Sequence, residues 1–199
     1  MMMLVEESTV PESALPLVQF REHLRLGTGF SDDGLQDGVL KGFLRAALAA
    51  IEARTGKVLI ERDFVYDLSC WRLPDRQVLP VAPVSAVADV TLIDVAAQER
   101  ILPRESWALI LDMQRPMVVS VGTGFPSLPQ NGIARIRFRA GFGPDWSDLP
   151  ADLTQAVLML AAHYYEYRHE TALGAGCMPF GVTALIERYR MIRLSGGGR

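Results

Sequence analysis

Hydrophobic periodicity divides the chain into three blocks. The first is helical. Pro16 can open a short helix with Leu17, Phe20 and Leu24 on one side, and Gly27-Thr28-Gly29 breaks it. Ser31 is a suitable N-cap for a second helix, with Asp32 and Asp33 at its positive end. Leu35, Val39, Phe43, Ala46, Ala47 and Ile51 recur at helical spacing, and Leu40, Leu44 and Leu48 widen the apolar stripe. Gly56 is a natural terminator. These start and stop signals predict a helix of about 24 residues, apolar enough to be buried on more than one side.

From Lys57 to Phe142 the period changes. Val58, Ile60, Phe64, Tyr66 and Leu68 occupy even positions, while Val84 to Asp94 and Met117 to Val121 are rich in β-branched residues. Seven prolines, from Pro74 to Pro129, exclude long helices, so the block reads as several short antiparallel strands. Ile133 to Arg139 is the clearest of them. Ala134, Ile136 and Phe138 face one way and Arg135, Arg137 and Arg139 the other. Three like charges on one face repel one another unless solvent or an acidic partner screens them. A solvated outer face is the commoner explanation and a binding face the rival.

The last block is helical again. Pro150 falls in the first turn, with Asp148 and Asp152 near the positive end. Leu153, Ala156, Val157, Leu160, Tyr164 and Tyr167 form one stripe, and Leu158, Met159, Ala162 and Tyr165 cover much of another. Such a helix is central to a core or lies between subunits. Gly174-Ala175-Gly176 makes a break, after which Val182, Leu185, Ile186 and Tyr189 give a short amphipathic helix. From Glu187 onward one acid stands against Arg188, Arg190, Arg193 and Arg199.

Composition narrows the function classes. With 199 residues the chain can bury roughly 70% of its unfolded surface and needs no metal or disulfide to fold. An apolar share of 49% and a net charge of −3 are those of an ordinary soluble protein and argue against a general nucleic-acid binder. Cys70 and Cys177 lie far apart, in no metal-type spacing, so a reduced cytoplasmic setting is the default. No apolar run reaches the roughly 18 residues of a membrane span. The first twelve residues lack the basic-then-apolar order of a signal peptide. Only Lys41 and Lys57 are lysines; a GC-rich genome explains the arginine bias more simply than selection for interfaces.

Candidate chemistry is thin. His163, Glu166 and His169 follow i, i+3, i+6 spacing, which sets the two histidines about 120° from a shared helix face. A metal would need ligands from other helices. Cys177 with His169 could form a nucleophile–base pair, but no orienting group or oxyanion hole stands at a readable spacing. The two Gly-Thr-Gly-Phe segments match neither the dinucleotide nor the P-loop pattern. Asp32, Asp33 and Asp37 lack the glycine and terminal glutamate of a calcium loop. Trp71, Trp107 and Trp146 could stack bases, although core or interface anchoring is commoner.

Several stretches, taken in order, resemble the head–tail connector (adaptor, head-completion) proteins of long-tailed bacteriophages and phage-like gene transfer agents. They begin with Leu17-Val18-Gln19-Phe20-Arg21-Glu22-His23-Leu24-Arg25, then Asp32-Asp33 and the helix ending Ile51-Glu52-Ala53-Arg54-Thr55-Gly56-Lys57-Val58-Leu59. Trp71, Leu79-Pro80-Val81-Ala82-Pro83-Val84 and Ala140-Gly141-Phe142-Gly143 follow. Leu149-Pro150-Ala151-Asp152-Leu153-Thr154-Gln155-Ala156 and Pro179-Phe180-Gly181-Val182 close the series. The resemblance spans about residues 14 to 190; residues 86–131 match only in general character.

The resemblance implies an α+β fold, a helical bundle with an inserted antiparallel β-rich region. It implies a flexible N-terminus at 1–13 and a single connector domain at 14–180, helical at 14–56 and 147–171 around a β-rich insertion at 57–142. A C-terminal helix and basic tail follow at 181–199. It further implies a non-enzymatic ring, commonly dodecameric, at the particle neck. The ring would bind the portal protein on one side and a head-closure or tail-terminator protein on the other. DNA would pass through as cargo, with no membrane and no cofactor. The C-terminal segment typically docks on the portal, which points to Val182, Leu185, Ile186, Arg188, Tyr189, Arg190 and Arg193. Arg135, Arg137 and Arg139 are the candidate partner or DNA-lumen face. Two other readings remain: a small metal- or Cys-dependent hydrolase using His163, Glu166, His169 or Cys177, and a generic nucleic-acid- or protein-binding module resting on the arginine face.

Overall fold

A computed structural model describes residues 2–26, 36–168 and 178–190. The chain separates into two compact units. One comprises the described residues of Met1–Val10 and Val58–Asp145, the other those of Pro11–Lys57 and Trp146–Arg199.

The first unit is all β. Its strands are β1 (Met2–Glu6), β2 (Arg62–Leu68), β3 (Arg76–Val78), β4 (Val84–Ile93), β5 (Glu99–Ile101), β6 (Trp107–Ile110), β7 (Met117–Ser120) and β8 (Ile133–Ala140). They form a five-stranded sheet in the order β1-β2-β8-β4-β5 and a three-stranded sheet in the order β3-β7-β6. Every pairing within the two sheets is antiparallel. Alternation does what the sequence predicts on β8: Ala134, Ile136 and Phe138 are buried. Phe64, Tyr66 and Leu68 of β2 point the same way, and Trp107 and Val118 from the smaller sheet join the same core. Phe64 and Phe138 stack at 5.6 Å.

The glycine-rich turn after β8 has a steric cause. Gly141 has φ 143°, and a Cβ there would lie 2.3 Å from the Glu61 Cα. Only glycine allows that approach. The approach lets Gly141 N–H donate to the Pro83 carbonyl at 3.0 Å and Phe142 N–H to the Leu59 carbonyl at 3.1 Å.

The second unit is helical: α1 (Leu17–His23), α2 (Asp37–Thr55), α3 (Ala151–Glu166) and α4 (Phe180–Ile186). α2 buries Leu40, Leu44, Ala47, Leu48 and Ile51, and ends where Gly56 turns left-handed at φ 69°. Val39 and Ala46 face solvent, so α2 buries one stripe rather than several sides. Ser31, Asp32, Asp33 and Leu35 lie outside the described residues. α3 buries Leu153, Ala156, Val157, Leu160, Ala161 and Ala162, and Pro150 caps it from just outside the first turn. Phe43 of α2 meets Tyr165 of α3 edge-on at 6.1 Å. No helix among the described residues is long and apolar enough to cross a membrane.

The expected fold class is therefore corrected. The molecule is not a helical bundle carrying a β insertion: among the described residues eight strands build two antiparallel sheets beside four α-helices. Only α2 and α3 are long, at 19 and 16 residues, and α1 and α4 span 7 each. The β segment closes a core of its own, which a loop-like insertion would not need. It also recruits the chain's start. Where the sequence pointed to a flexible segment at 1–13, Met2–Glu6 pairs with β2 over five residues, Met2 opposite Leu68 and Glu6 opposite Phe64.

Candidate functional site

The arginine face of β8 is built by register. β8 is the central strand, and each arginine stands directly across from an aspartate: Arg135 from Asp67 and Arg139 from Asp63 on β2, Arg137 from Asp89 on β4. Arg135 holds Asp67 through two bonds of 2.8 Å, in the planar fork that guanidinium favours. Arg137 reaches Asp89 at 3.2 Å and Arg139 reaches Asp63 at 3.0 Å. The carboxylates raise the pKa of Arg135 and Arg139 further, chiefly through these hydrogen bonds. Thr91 donates a further bond to Asp89 at 2.8 Å. The screening that three like charges require thus comes from the chain itself, and the face is balanced rather than basic.

The C-terminal segment is held by its own unit. Val182, Ile186 and Tyr189 are buried, and Leu185 is half-buried. Gly181 lies so close to α3 that a Cβ would come within 2.9 Å of the Met159 methyl. Tyr189 donates its hydroxyl hydrogen to Asp152 at 2.7 Å, and Arg188 contacts the same carboxylate at 2.7 Å. Burial, then the bond to Asp152, raises the Tyr189 pKa. Asp152 in the first turn of α3 therefore fastens the segment as well as complementing the helix end. Arg190 pairs with Glu187 at 3.0 Å, and Arg193 lies outside the described residues. Phe180, at the start of α4, is 88% exposed.

Of the residues in the hydrolase reading, His163 and Glu166 fall among those described. His163 packs 4.7 Å from the Tyr167 ring and Glu166 is exposed. His169 and Cys177 lie outside the described residues. Among the described residues no group of three or more His, Cys, Asp or Glu could hold a metal. The tryptophans act as local anchors. Trp71 stacks on Phe125 at 4.3 Å and donates Nε1–H to the Pro126 carbonyl at 2.9 Å. Trp107 is buried beneath the Arg104 guanidinium, 4.1 Å from its ring centre. Trp146 is half-buried in a short 3₁₀ turn.

Sequence reasoning missed the exposed apolar surfaces. Met2, Met3, Leu4 and Val5 are 36–46% exposed on the free edge of the larger sheet. Ile101, on the opposite edge, is 64% exposed. Ile110, Leu111 and Met113 project at the β6–β7 turn. The signal for the first was four consecutive apolar residues with no turn or charge among them.

No family model and no curated protein matches the chain. Solved structures do. A chain in the neck of an empty GTA (gene transfer agent) particle, computed with C6 symmetry, is 52% identical, with 98% of each chain covered and a TM-score of 0.90. A chain in the virion of a native gene transfer agent particle is 52% identical over 98% of each chain, with a TM-score of 0.86. A third, in the neck of a native GTA particle computed with C12 symmetry, is 48% identical over the same share of each chain, with a TM-score of 0.84.

Proposed function

From the chain's membership of the head–tail connector proteins that build the necks of gene transfer agent particles, we propose that it forms a ring beneath the portal protein, joins it to the tail machinery and lets DNA pass through the centre. The observation that carries this reading is the match along 98% of the chain, at 52% identity, to a neck component. A ring is a head-to-tail interface whose rotation closes, and twelvefold or sixfold symmetry is such a closure. The role asks for surfaces rather than a reaction centre.

The charge distribution supports passage rather than capture of DNA. Tight binding needs many phosphates neutralised by Lys or Arg, and Arg135, Arg137 and Arg139 already hold three aspartates. If this face lines the channel, it offers DNA no net positive strip.

At the portal end the C-terminal segment divides its labour. Val182, Ile186 and Tyr189 hold α4 against α3, while Leu185, Arg190, Arg193 and the exposed Phe180 reach the portal. Arg188, tied to Asp152, belongs with the holding group. Reversing Arg190 and Arg193 to glutamate therefore tests portal contact without breaking the Asp152 clasp. The test of the whole reading is electron microscopy of particles made without this chain. Capsids with portals but no tails are expected; normally tailed particles would overturn it.

A further inference from the structure

We propose that the free edge formed by β1 is a contact between neighbouring copies in the ring, packing through its side chains against the opposite edge of the next copy's large sheet. The inference rests on the ring reading above and names the surface that reading leaves open.

An exposed strand edge is a liability that proteins blunt with lysine, proline, a bulge or a cover. β1 has none of the first three: its sequence is Met-Met-Leu-Val-Glu, and its pairing with β2 runs without a register shift. It is not a frayed end. Glu6 pairs with Arg62 at 3.3 Å, Glu7 N–H donates to the Asp63 carbonyl at 2.8 Å, and Asp63 N–H donates to the Ser8 hydroxyl at 2.9 Å.

β1 is also apolar on both faces. Met2 and Leu4 lie across from Leu68 and Tyr66, on the core side. Met3 and Val5 lie across from Asp67 and Val65, on the side where the rest of the sheet carries ion pairs. Two apolar side chains beside a charged surface are out of place in water and in place under a partner.

A second copy is the occupant that closure supplies. A head-to-tail ring needs two different patches per chain, and the large sheet ends in two edges: β1, and β5 with its exposed Ile101.

Geometry decides how the edges meet. Adjacent strands twist by about 20–25°, so β1 and β5 diverge by roughly 80–100° across the sheet. Neighbours in a twelvefold ring turn by only about 30°. A hydrogen-bonded ladder running on from copy to copy does not fit that step, so the edges pack by side chains at an angle. Four side chains also fall short of a full interface of about 800 Å² per partner, so β1 is one part of the contact.

The test places the photo-crosslinker p-benzoyl-phenylalanine at Met3 in full-length chain assembled into particles. The expected product is this chain crosslinked to itself, with the second site mapped to residues 95–104. Crosslinks to the portal or another neck protein, or none at all while microscopy shows an intact ring, would overturn the contact and leave the ring standing. A neck that lacks this chain altogether would overturn the ring reading and this contact with it. A second arm uses Met3→Lys with Val5→Lys, the blunting that β1 lacks, with Asp67 across from the first lysine. Tailed particles should fall about tenfold while the isolated chain keeps its melting temperature. Unchanged assembly of the folded double variant would refute the proposal. Should that variant fail to fold, the crosslinking arm decides.

Discussion

At the scale of single residues, the places where nothing else fits are the ones that backbone geometry creates. Gly141 combines a positive φ with an approach to the Glu61 backbone that leaves no room for a methyl group. Gly141→Ala should therefore destabilise the β unit by about 2 kcal/mol or more, read from chemical denaturation. An unchanged midpoint would mean that the turn relaxes freely. Leu160 is the helical counterpart, 1% exposed on α3. Leu160→Ala should cost about 2–5 kcal/mol, and a loss below about 0.5 kcal/mol would place the side chain at the surface. Both positions stand out in the sequence, one in a glycine-rich turn and one in an apolar stripe. What made glycine necessary at 141 could not be read there, because Glu61 lies 80 residues earlier.

At the scale of elements, local period was a good guide and pairing was not. The alternation of β8 shows in the sequence because strand side chains alternate whatever lies beside them. The aspartates that neutralise its arginines are 68, 48 and 76 residues away, and nothing local singles them out. The same limit applies to the C-terminal segment. Its amphipathic pattern is plain, but an apolar stripe does not say whether its own chain or a partner covers it. Here α3 does, with Asp152 as the clasp. Tyr189→Phe should lower the stability of the helical unit by about 1 kcal/mol, since a hydroxyl–carboxylate bond is lost and no volume changes. Thermal unfolding of the two proteins side by side checks it, and identical curves would show that the clasp adds nothing.

At the scale of the whole molecule, the surfaces matter more than any site. We expect the isolated chain to be a monomer or weak oligomer and to form its ring on the portal, because closing a ring carries an entropic cost that a partner can offset. Light scattering of the chain alone and then with portal tests this; a tight dimer indifferent to portal would contradict it. Affinity for duplex DNA should also be weak at physiological salt, because the arginine strip is internally neutralised. A salt-sensitive affinity tighter than about 1 µM, beyond the usual non-specific range, would revive the nucleic-acid-binding reading.

The sequence by itself determined where helix gives way to strand and back, which faces are apolar, and, through the order of its motifs, the family. These follow from short-range periodicity and from residue types that are diagnostic in series. It did not determine the balance of the fold. The helical stretches at both ends read as the body and the strands as an addition, yet the strands close their own core and pair Met2–Glu6 onto the edge of their sheet. Nor did it determine the charge of the β8 face or the fate of Val182, Ile186 and Tyr189. Each of these depends on which distant residue stands opposite, and register and packing between segments far apart in sequence are set only when the chain is folded.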